Sequence, residues 1–132
     1  MSTSAKQIVS PDKLVLAGIL SIAAIGLIHL LEVPDELEEA TYLGLLFLAN
    51  CGAAVVAAIG IYRNDRWGWI LGAVLAAGSF AGYVVSRTVG LPGMEVEDWL
   101  QPSGVLAMLA EGLFIGLWLM TTVHRPKRTS LE

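Results

Sequence analysis

Residues 14–31 read LVLAGILSIAAIGLIHLL, an apolar run that contains no charged side chain. At a rise of about 1.5 Å per residue, a helix needs roughly 20 such residues to cross the hydrocarbon core of a bilayer. Three further segments are similarly apolar: Ala40 to Tyr62, Trp67 to Ser86 and Pro102 to Val123. The first of the four segments carries no A-x-A cleavage site, so we interpret it as a retained helix and not as a signal peptide.

The composition also indicates that the lipid bilayer is the solvent. Of the 132 residues, 55% are hydrophobic and only 15% are charged, whereas soluble domains average about 25% charged residues. Cys51 is the one cysteine, which excludes a disulfide within the chain. The sequence therefore predicts a single all-α domain over residues 1–132, an integral membrane antiparallel four-helix bundle with helices at about 14–31, 36–62, 66–89 and 102–123.

The break between the first two helices is expected at Pro34, because proline removes a helical hydrogen bond. Asp35 followed by Glu38 has the spacing of a capping box. This pattern predicts that Glu38 and Glu39 lie in the first turn of the second helix, where the helix dipole favours anions.

Charged residues are sorted between the two ends of the predicted bundle. One end carries basic residues: Lys6, Lys13, Arg63, Arg66, Arg125, Lys127 and Arg128. The opposite loops are acidic, with Arg87 as the one cation near them: Asp35, Glu36, Glu38, Glu39, Glu95, Glu97 and Asp98. Because cytoplasmic loops retain Lys and Arg, this bias predicts a multi-pass protein of the cell membrane with both termini, including tails 1–12 and 124–132, in the cytoplasm.

Small residues recur at a four-residue spacing in two of the predicted helices, as Gly78/Gly82 and Gly112/Gly116. Such pairs allow helix backbones to approach closely in lipid. Two explanations are open: the glycines tighten the monomer's own bundle, or one pair forms the contact of a homo-oligomer or of a larger membrane complex.

Ionisable residues inside a bilayer cost several kcal/mol and by default mark function. Glu111 lies about nine residues, hence roughly 13 Å, into the fourth helix. Arg87 in the third helix is the expected partner for its charge. His29 lies near the outer end of the first helix, and Glu32 follows it at i+3 on the same face.

Further polar residues fall in the same outer half of the bundle and predict a polar pocket open to the outer side. The predicted metal- or ligand-binding residues are His29, Glu32, Glu39 and Glu111, and the supporting polar residues are Arg87, Tyr42, Asn50 and Tyr83.

Several chemistries lack the residues that they need. The only histidines are His29 and His124, at opposite ends of the membrane, so no haem with two histidine ligands is expected within one chain. Nucleophile triads, phosphate-binding glycine loops and Cys-x-x-Cys spacings are absent, and no catalytic residue is assigned. The few basic residues are explained by topology, so nucleic-acid binding is not expected.

The leading hypothesis is a binding protein for a metal ion or a small cation. Mixed imidazole and carboxylate ligands suit a divalent metal such as zinc, copper or iron. The alternatives are a non-catalytic accessory subunit of a larger membrane complex, and a small proton-coupled transporter in which the carboxyl group of Glu111 exchanges a proton.

Two sequence elements carry a resemblance to a known group of proteins. Residues 29–39 (HLLEVPDELEE) contain a His-x(4)-Pro element, and residues 86–92 read SRTVGLP, with Glu111 following. The chain in this respect resembles an uncharacterised family of small four-span membrane proteins that is common in actinobacteria, over about residues 14–120. Many members of that family have histidine where this chain has Glu36. The resemblance implies that His29, Glu39, Arg87 and Glu111 belong to one site.

Overall fold

The computed structural model describes residues 11–123, which form four helices and no strand. The helices are α1 (Pro11–Glu39), α2 (Thr41–Tyr62), α3 (Arg66–Thr88) and α4 (Pro102–Val123). α1 packs on α2 and α4, and α3 packs on the same two neighbours. The predicted all-α four-helix bundle is confirmed. Except for residues 11 and 12, the predicted tails 1–12 and 124–132 lie outside the described residues.

All four helices are long and apolar enough to cross a membrane. Their outward faces carry large apolar side chains, and Leu20, Leu31, Val74 and Leu109 are each more than 60% exposed. In lipid such side chains need no protein partner, because the surrounding hydrocarbon is as apolar as they are. The surface therefore suits a multi-pass membrane protein.

The first helix passes through Pro34 and ends at Glu39, so the predicted helix end at Pro34 is wrong. Ala40 alone separates α1 from α2, and its backbone is extended (φ −157°, ψ 119°). Glu38 and Glu39 consequently lie in the last turn of α1 and not in the first turn of α2.

A side-chain contact accounts for the longer first helix. Leu37 packs on Gly44 so closely that any Cβ on Gly44 would collide with the Leu37 side chain. This contact is made with α1 helical beyond Pro34, and it stabilises that continuation together with the sharp reversal into α2. The capping-box pattern pointed to the wrong helix because it carries no information about this contact.

Helices α2 and α3 are in backbone contact at the end of the bundle that we call the basic end, where Arg63 and Arg66 flank their connection. A Cβ added to Gly68 would lie 2.6 Å from backbone atoms of Gly60 and of Ile61. No side chain fits in that space, so glycine at these positions sets the separation between the two helices.

Aromatic packing fills the interior next to this contact. Trp69 stacks on Phe114 with ring centroids 5.5 Å apart. The Trp69 ring lies against Gly18 of α1, and the Phe114 ring lies against Gly72 of α3. Glycines therefore make room for these two rings, and the rings join α1, α3 and α4 at this level.

The glycines singled out by their spacing do not take part in this packing. A Cβ added to Gly78, Gly82, Gly112 or Gly116 would meet no atom within 4 Å in the described part of the chain. The explanation that they tighten the monomer's own bundle is therefore wrong. Gly112 and Gly116 are exposed on α4, and a role for them in a homo-oligomer or larger complex stays a prediction.

Candidate functional site

A cavity of about 490 Å³ lies among the four helices toward the acidic end of the bundle. We define the acidic end as residues 32–39 of α1 together with residues 89–101, which connect α3 to α4. The volume falls within the range of small-molecule pockets. Most of the lining is apolar, as at Leu43, Phe47, Leu75 and Ala107.

Glu111 is the most deeply buried charged residue of the cavity, with 2% of its surface exposed. Its Oε2 atom is buried and has no hydrogen-bond partner among the described residues. Its Oε1 atom lies 4.0 Å from Nε2 of His29, which is too far for a direct hydrogen bond. A carboxyl group thus lies in an apolar interior without a bonded partner in the described chain.

His29 faces this carboxyl group in a defined orientation. Its Nδ1 atom is 2.8 Å from the Ile25 carbonyl oxygen, and a carbonyl oxygen only accepts, so Nδ1 carries the hydrogen. In the neutral ring, Nε2 then presents a lone pair toward Glu111. Phe47 packs against the imidazole with ring centroids 4.9 Å apart. When Glu111 is ionised, two acceptor atoms therefore face each other across 4.0 Å.

Asn50 supplies a third unpaired acceptor to the same cavity. Its Nδ2 atom donates to Ser79 Oγ at 2.6 Å, which joins α2 to α3. Its Oδ1 atom is buried and has no partner among the described residues. An unpaired buried acceptor costs about 1–3 kcal/mol, so the cavity holds several acceptors that a donor-bearing ligand would satisfy.

Arg87 is 7% exposed, and its guanidinium donates to Ser86 Oγ and to residues that follow it. Its guanidinium forms an ion pair with Glu97, donates to Gln101 Oε1 at 2.7 Å, and donates through Nε to the Asp98 carbonyl oxygen at 3.2 Å. The group also lies 4.0 Å above the Tyr83 ring. Arg87 thus fastens residues 89–101 to α3.

The predicted ion pair between Arg87 and Glu111 is wrong, since among the described residues Arg87 pairs with Glu97. The connection between α3 and α4 folds back on α3, where the Glu97 backbone N–H donates to the Ser86 carbonyl oxygen at 3.0 Å. This brings the Glu97 carboxylate to the guanidinium while 26% of its side chain remains exposed. A partly solvated partner carries a smaller desolvation cost than a buried one.

Two tyrosines complete the attachment of this segment. Tyr42 of α2 donates to the Pro92 carbonyl oxygen at 2.7 Å, and Tyr83 of α3 donates to the Trp99 carbonyl oxygen at 2.5 Å. Tyr83 lines the cavity and Tyr42 does not. Tyr42 and Tyr83, two of the predicted supporting residues, therefore hold residues 89–101 in place across the acidic end.

The structure brings together three of the four predicted ligands, since His29, Glu32 and Glu111 line the cavity. Glu39 is exposed at the end of α1 and does not line it. Because α1 continues through Pro34, Glu39 lies ten residues beyond His29, about 15 Å along the helix.

No metal centre is evident in this arrangement. Across residues 11–123, no three His, Cys, Asp or Glu side chains are grouped so that they could hold a metal ion. The predicted zinc, copper or iron site therefore has no support from the structure.

Glu36 also lines the cavity and was missed by the sequence prediction. It follows His29 by seven residues, two helical turns, and so shares a face with His29 and Glu32. This i, i+3, i+7 spacing is visible in the sequence, but the assumed helix end at Pro34 hid it. Ser79 and Glu97, which also line the cavity, carry no comparable sequence signal.

No protein-family model matches the chain, and no curated protein or solved structure is significantly similar to it. The resemblance to the family of small four-span membrane proteins stays a prediction.

Proposed function

We propose that the protein is a multi-pass membrane protein that binds a small organic cation, an amine, in the cavity at the acidic end. The observation that carries this proposal is the set of acceptor atoms without donors. These are Oε2 of Glu111 and Oδ1 of Asn50, both buried and unpaired in the described chain, and Nε2 of His29, which faces Glu111.

A protonated amine supplies what these atoms lack. A primary ammonium group has three N–H donors and one positive charge, so it can act as counter-ion to the Glu111 carboxylate and donate to neighbouring acceptors. An ammonium nitrogen between Glu111 Oε1 and His29 Nε2, which are 4.0 Å apart, could donate one N–H to each at ordinary hydrogen-bond lengths. The apolar lining would receive the hydrocarbon part of the ligand.

The remaining charges favour a cation over an anion. Glu32, Glu36 and Glu97 line the cavity in addition to Glu111, and the one described cation of the lining, Arg87, is paired with Glu97. The formal charge of this lining is therefore negative, and an apolar-walled cavity with a negative lining attracts cations.

An organic cation suits the site better than a metal ion does. A metal ion needs several ligand atoms from the protein itself, and residues 11–123 offer no such group of three His, Cys, Asp or Glu side chains. An amine carries its own apolar groups and needs only a few acceptor atoms, which His29, Asn50 and Glu111 supply to the cavity lining.

We further propose that the protein lies in the cell membrane with the acidic end outside and both termini in the cytoplasm. The support is the distribution of basic residues, because Arg63 and Arg66 lie together at the connection between α2 and α3, and Lys and Arg are retained in cytoplasmic loops. Lys6, Arg125, Lys127 and Arg128 are predicted to lie on the same side and fall outside the described residues.

Equilibrium binding of dansylcadaverine, a fluorescent primary amine, tests the proposal. The protein is reconstituted in nanodiscs of zwitterionic lipid, so that lipid charge does not attract the probe, and energy transfer from tryptophan to the dansyl group reports binding. Glu111→Gln should weaken binding about 10- to 100-fold, because a hydrogen-bonded charge contact contributes about 1.5–3 kcal/mol.

Two controls accompany this measurement. Glu95→Gln makes the same chemical change at an exposed residue that does not line the cavity, and it should bind as the unaltered protein does. A dansyl carboxylate of matched length should not bind. Equal binding by the Glu111→Gln variant, or equal binding of the carboxylate, would contradict the proposal.

A further inference from the structure

The cavity reaches the outer surface of the bundle between α2 and α3. Only four of the residues that line it are exposed: Leu46, Ala49, Gly78 and Gln101. The first two lie on α2 and the third lies on α3, whereas Gln101 lies at the acidic end. We name the opening formed by Leu46, Ala49, Gly78 and Gly82 the α2–α3 gap.

Missing side chains keep this gap open. A Cβ added to Gly78 or to Gly82 would meet no described atom within 4 Å. On the side of the basic end, α2 and α3 are held together by the Gly60–Gly68 backbone contact. One residue after Gly78, at the level of the cavity, the Asn50–Ser79 hydrogen bond bridges the two helices.

In a bilayer that α3 spans, the α2–α3 gap lies at the depth of the hydrocarbon and not at the water interface. Gly78 follows the start of α3 at Arg66 by twelve residues, which is about 18 Å along a helix that crosses a core of about 30 Å. Gly82 lies about 6 Å farther along. A molecule that passes through the gap therefore comes from the acyl-chain region.

Residues 89–101 form a wall of the cavity on the side of the acidic end, where Leu91, Glu97 and Gln101 line it. This wall is fastened by Arg87 and by the hydroxyl groups of Tyr42 and Tyr83. Side-chain contacts therefore hold the wall that faces water in place. The side that faces lipid has no side chain at two successive turns of α3, at Gly78 and Gly82.

From these observations we infer that the ligand enters through the α2–α3 gap from the bilayer, so that its chemical class is an amphiphilic amine and not a water-confined one. This inference rests on the proposed function. The ammonium group of such a molecule reaches Glu111, and its apolar part lies along Leu46 and Ala49 in the gap.

Stopped-flow energy transfer with dansylcadaverine dissolved in the nanodisc lipid tests the route of entry. Gly78→Leu should slow association by about 10-fold or more, because a side chain must then move before the probe can pass. Dissociation should slow as well, because the bound probe leaves through the same gap. Gly82→Leu should act in the same direction, one helical turn away.

Gly112→Leu is the matched control, since it makes the same change at an exposed glycine of α4 that does not line the cavity, and it should leave both rates unchanged. Tyr42→Phe removes one fastening of residues 89–101 and should leave association unchanged. Faster association in Tyr42→Phe would show entry from water and overturn the inference.

The outcomes separate the two proposals. Failure of the unaltered protein to bind the probe, or equal binding by Glu111→Gln, removes the proposed function. Binding that depends on Glu111, combined with unaltered rates in both Gly78→Leu and Gly82→Leu, overturns only entry through the α2–α3 gap.

Discussion

The two ends of the bundle use glycine for opposite purposes. At the basic end, Gly60 and Gly68 bring α2 and α3 into backbone contact, and a Cβ on either one would collide with the other helix. Toward the acidic end, Gly78 and Gly82 have no described atom within 4 Å of such a Cβ, and both line a cavity. The same residue type closes the bundle at one end and keeps it open at the other.

Polar groups follow the same division. The buried core around Trp69 and Phe114 is apolar, whereas Asn50 and Glu111 leave buried acceptors unpaired at the cavity. Without water to drive helices together, close packing supplies much of the association energy in lipid. We infer that the basic end stabilises the fold while the acidic end retains unpaired acceptors for a ligand, a division common at functional sites.

The largest effect is expected from Gly68→Ala. The added Cβ would lie 2.6 Å from the backbone of Gly60 and Ile61, so α2 and α3 must separate. Overpacking typically costs 1–3 kcal/mol, and because backbone atoms are involved we expect a loss of about 3 kcal/mol in the free energy of unfolding, measured by denaturant titration in mixed micelles. Gly112→Ala is the control and should be neutral or slightly stabilising. Equal stability of the two variants would show that the basic end is not the tighter one.

The intermediate effect is expected from Arg87→Met, which removes the fastening of residues 89–101. The variant loses the ion pair with Glu97 and the bond to Gln101, but Glu97 is partly exposed and can regain water. We therefore expect a loss of about 1–2 kcal/mol, with faster proteolysis within residues 89–101. Arg66→Met, at an exposed arginine of the basic end, should change neither quantity. Unchanged proteolysis in Arg87→Met would show that the tyrosine contacts alone hold the segment.

The helices could be predicted because apolar length is a local property of the sequence. The start of α4 at Pro102 and the ends of α2 at Tyr62 and of α4 at Val123 agree with the prediction. The end of α1 could not be predicted from Pro34, because it depends on the contact between Leu37 and Gly44. That contact joins two helices, and spacing along one helix cannot reveal it.

The residues of the candidate site were predicted better than the contacts between them. Depth along each helix placed His29, Asn50 and Glu111 in one half of the bundle, and all three line the cavity. The partner of Arg87 was missed because Glu97 lies in an irregular segment, whose path depends on hydrogen bonds such as Glu97 N–H to Ser86 O. Helical periodicity gives no information about such a path.

The smallest effect, and the one of opposite sign, is expected from Glu111→Gln. In the ligand-free protein the carboxyl group has no hydrogen bond among the described residues, so the neutral amide should raise the free energy of unfolding by about 1 kcal/mol, as measured by thermal unfolding in detergent. Dansylcadaverine should raise the unfolding temperature of the unaltered protein and of Glu95→Gln, but not that of Glu111→Gln. Both results together would mean that the Glu111 carboxyl group destabilises the ligand-free protein and stabilises the protein when a cation is bound. Destabilisation by Glu111→Gln, with no effect of the amine on any variant, would instead make Glu111 a structural residue like Arg87 and would remove the functional contrast between the two ends.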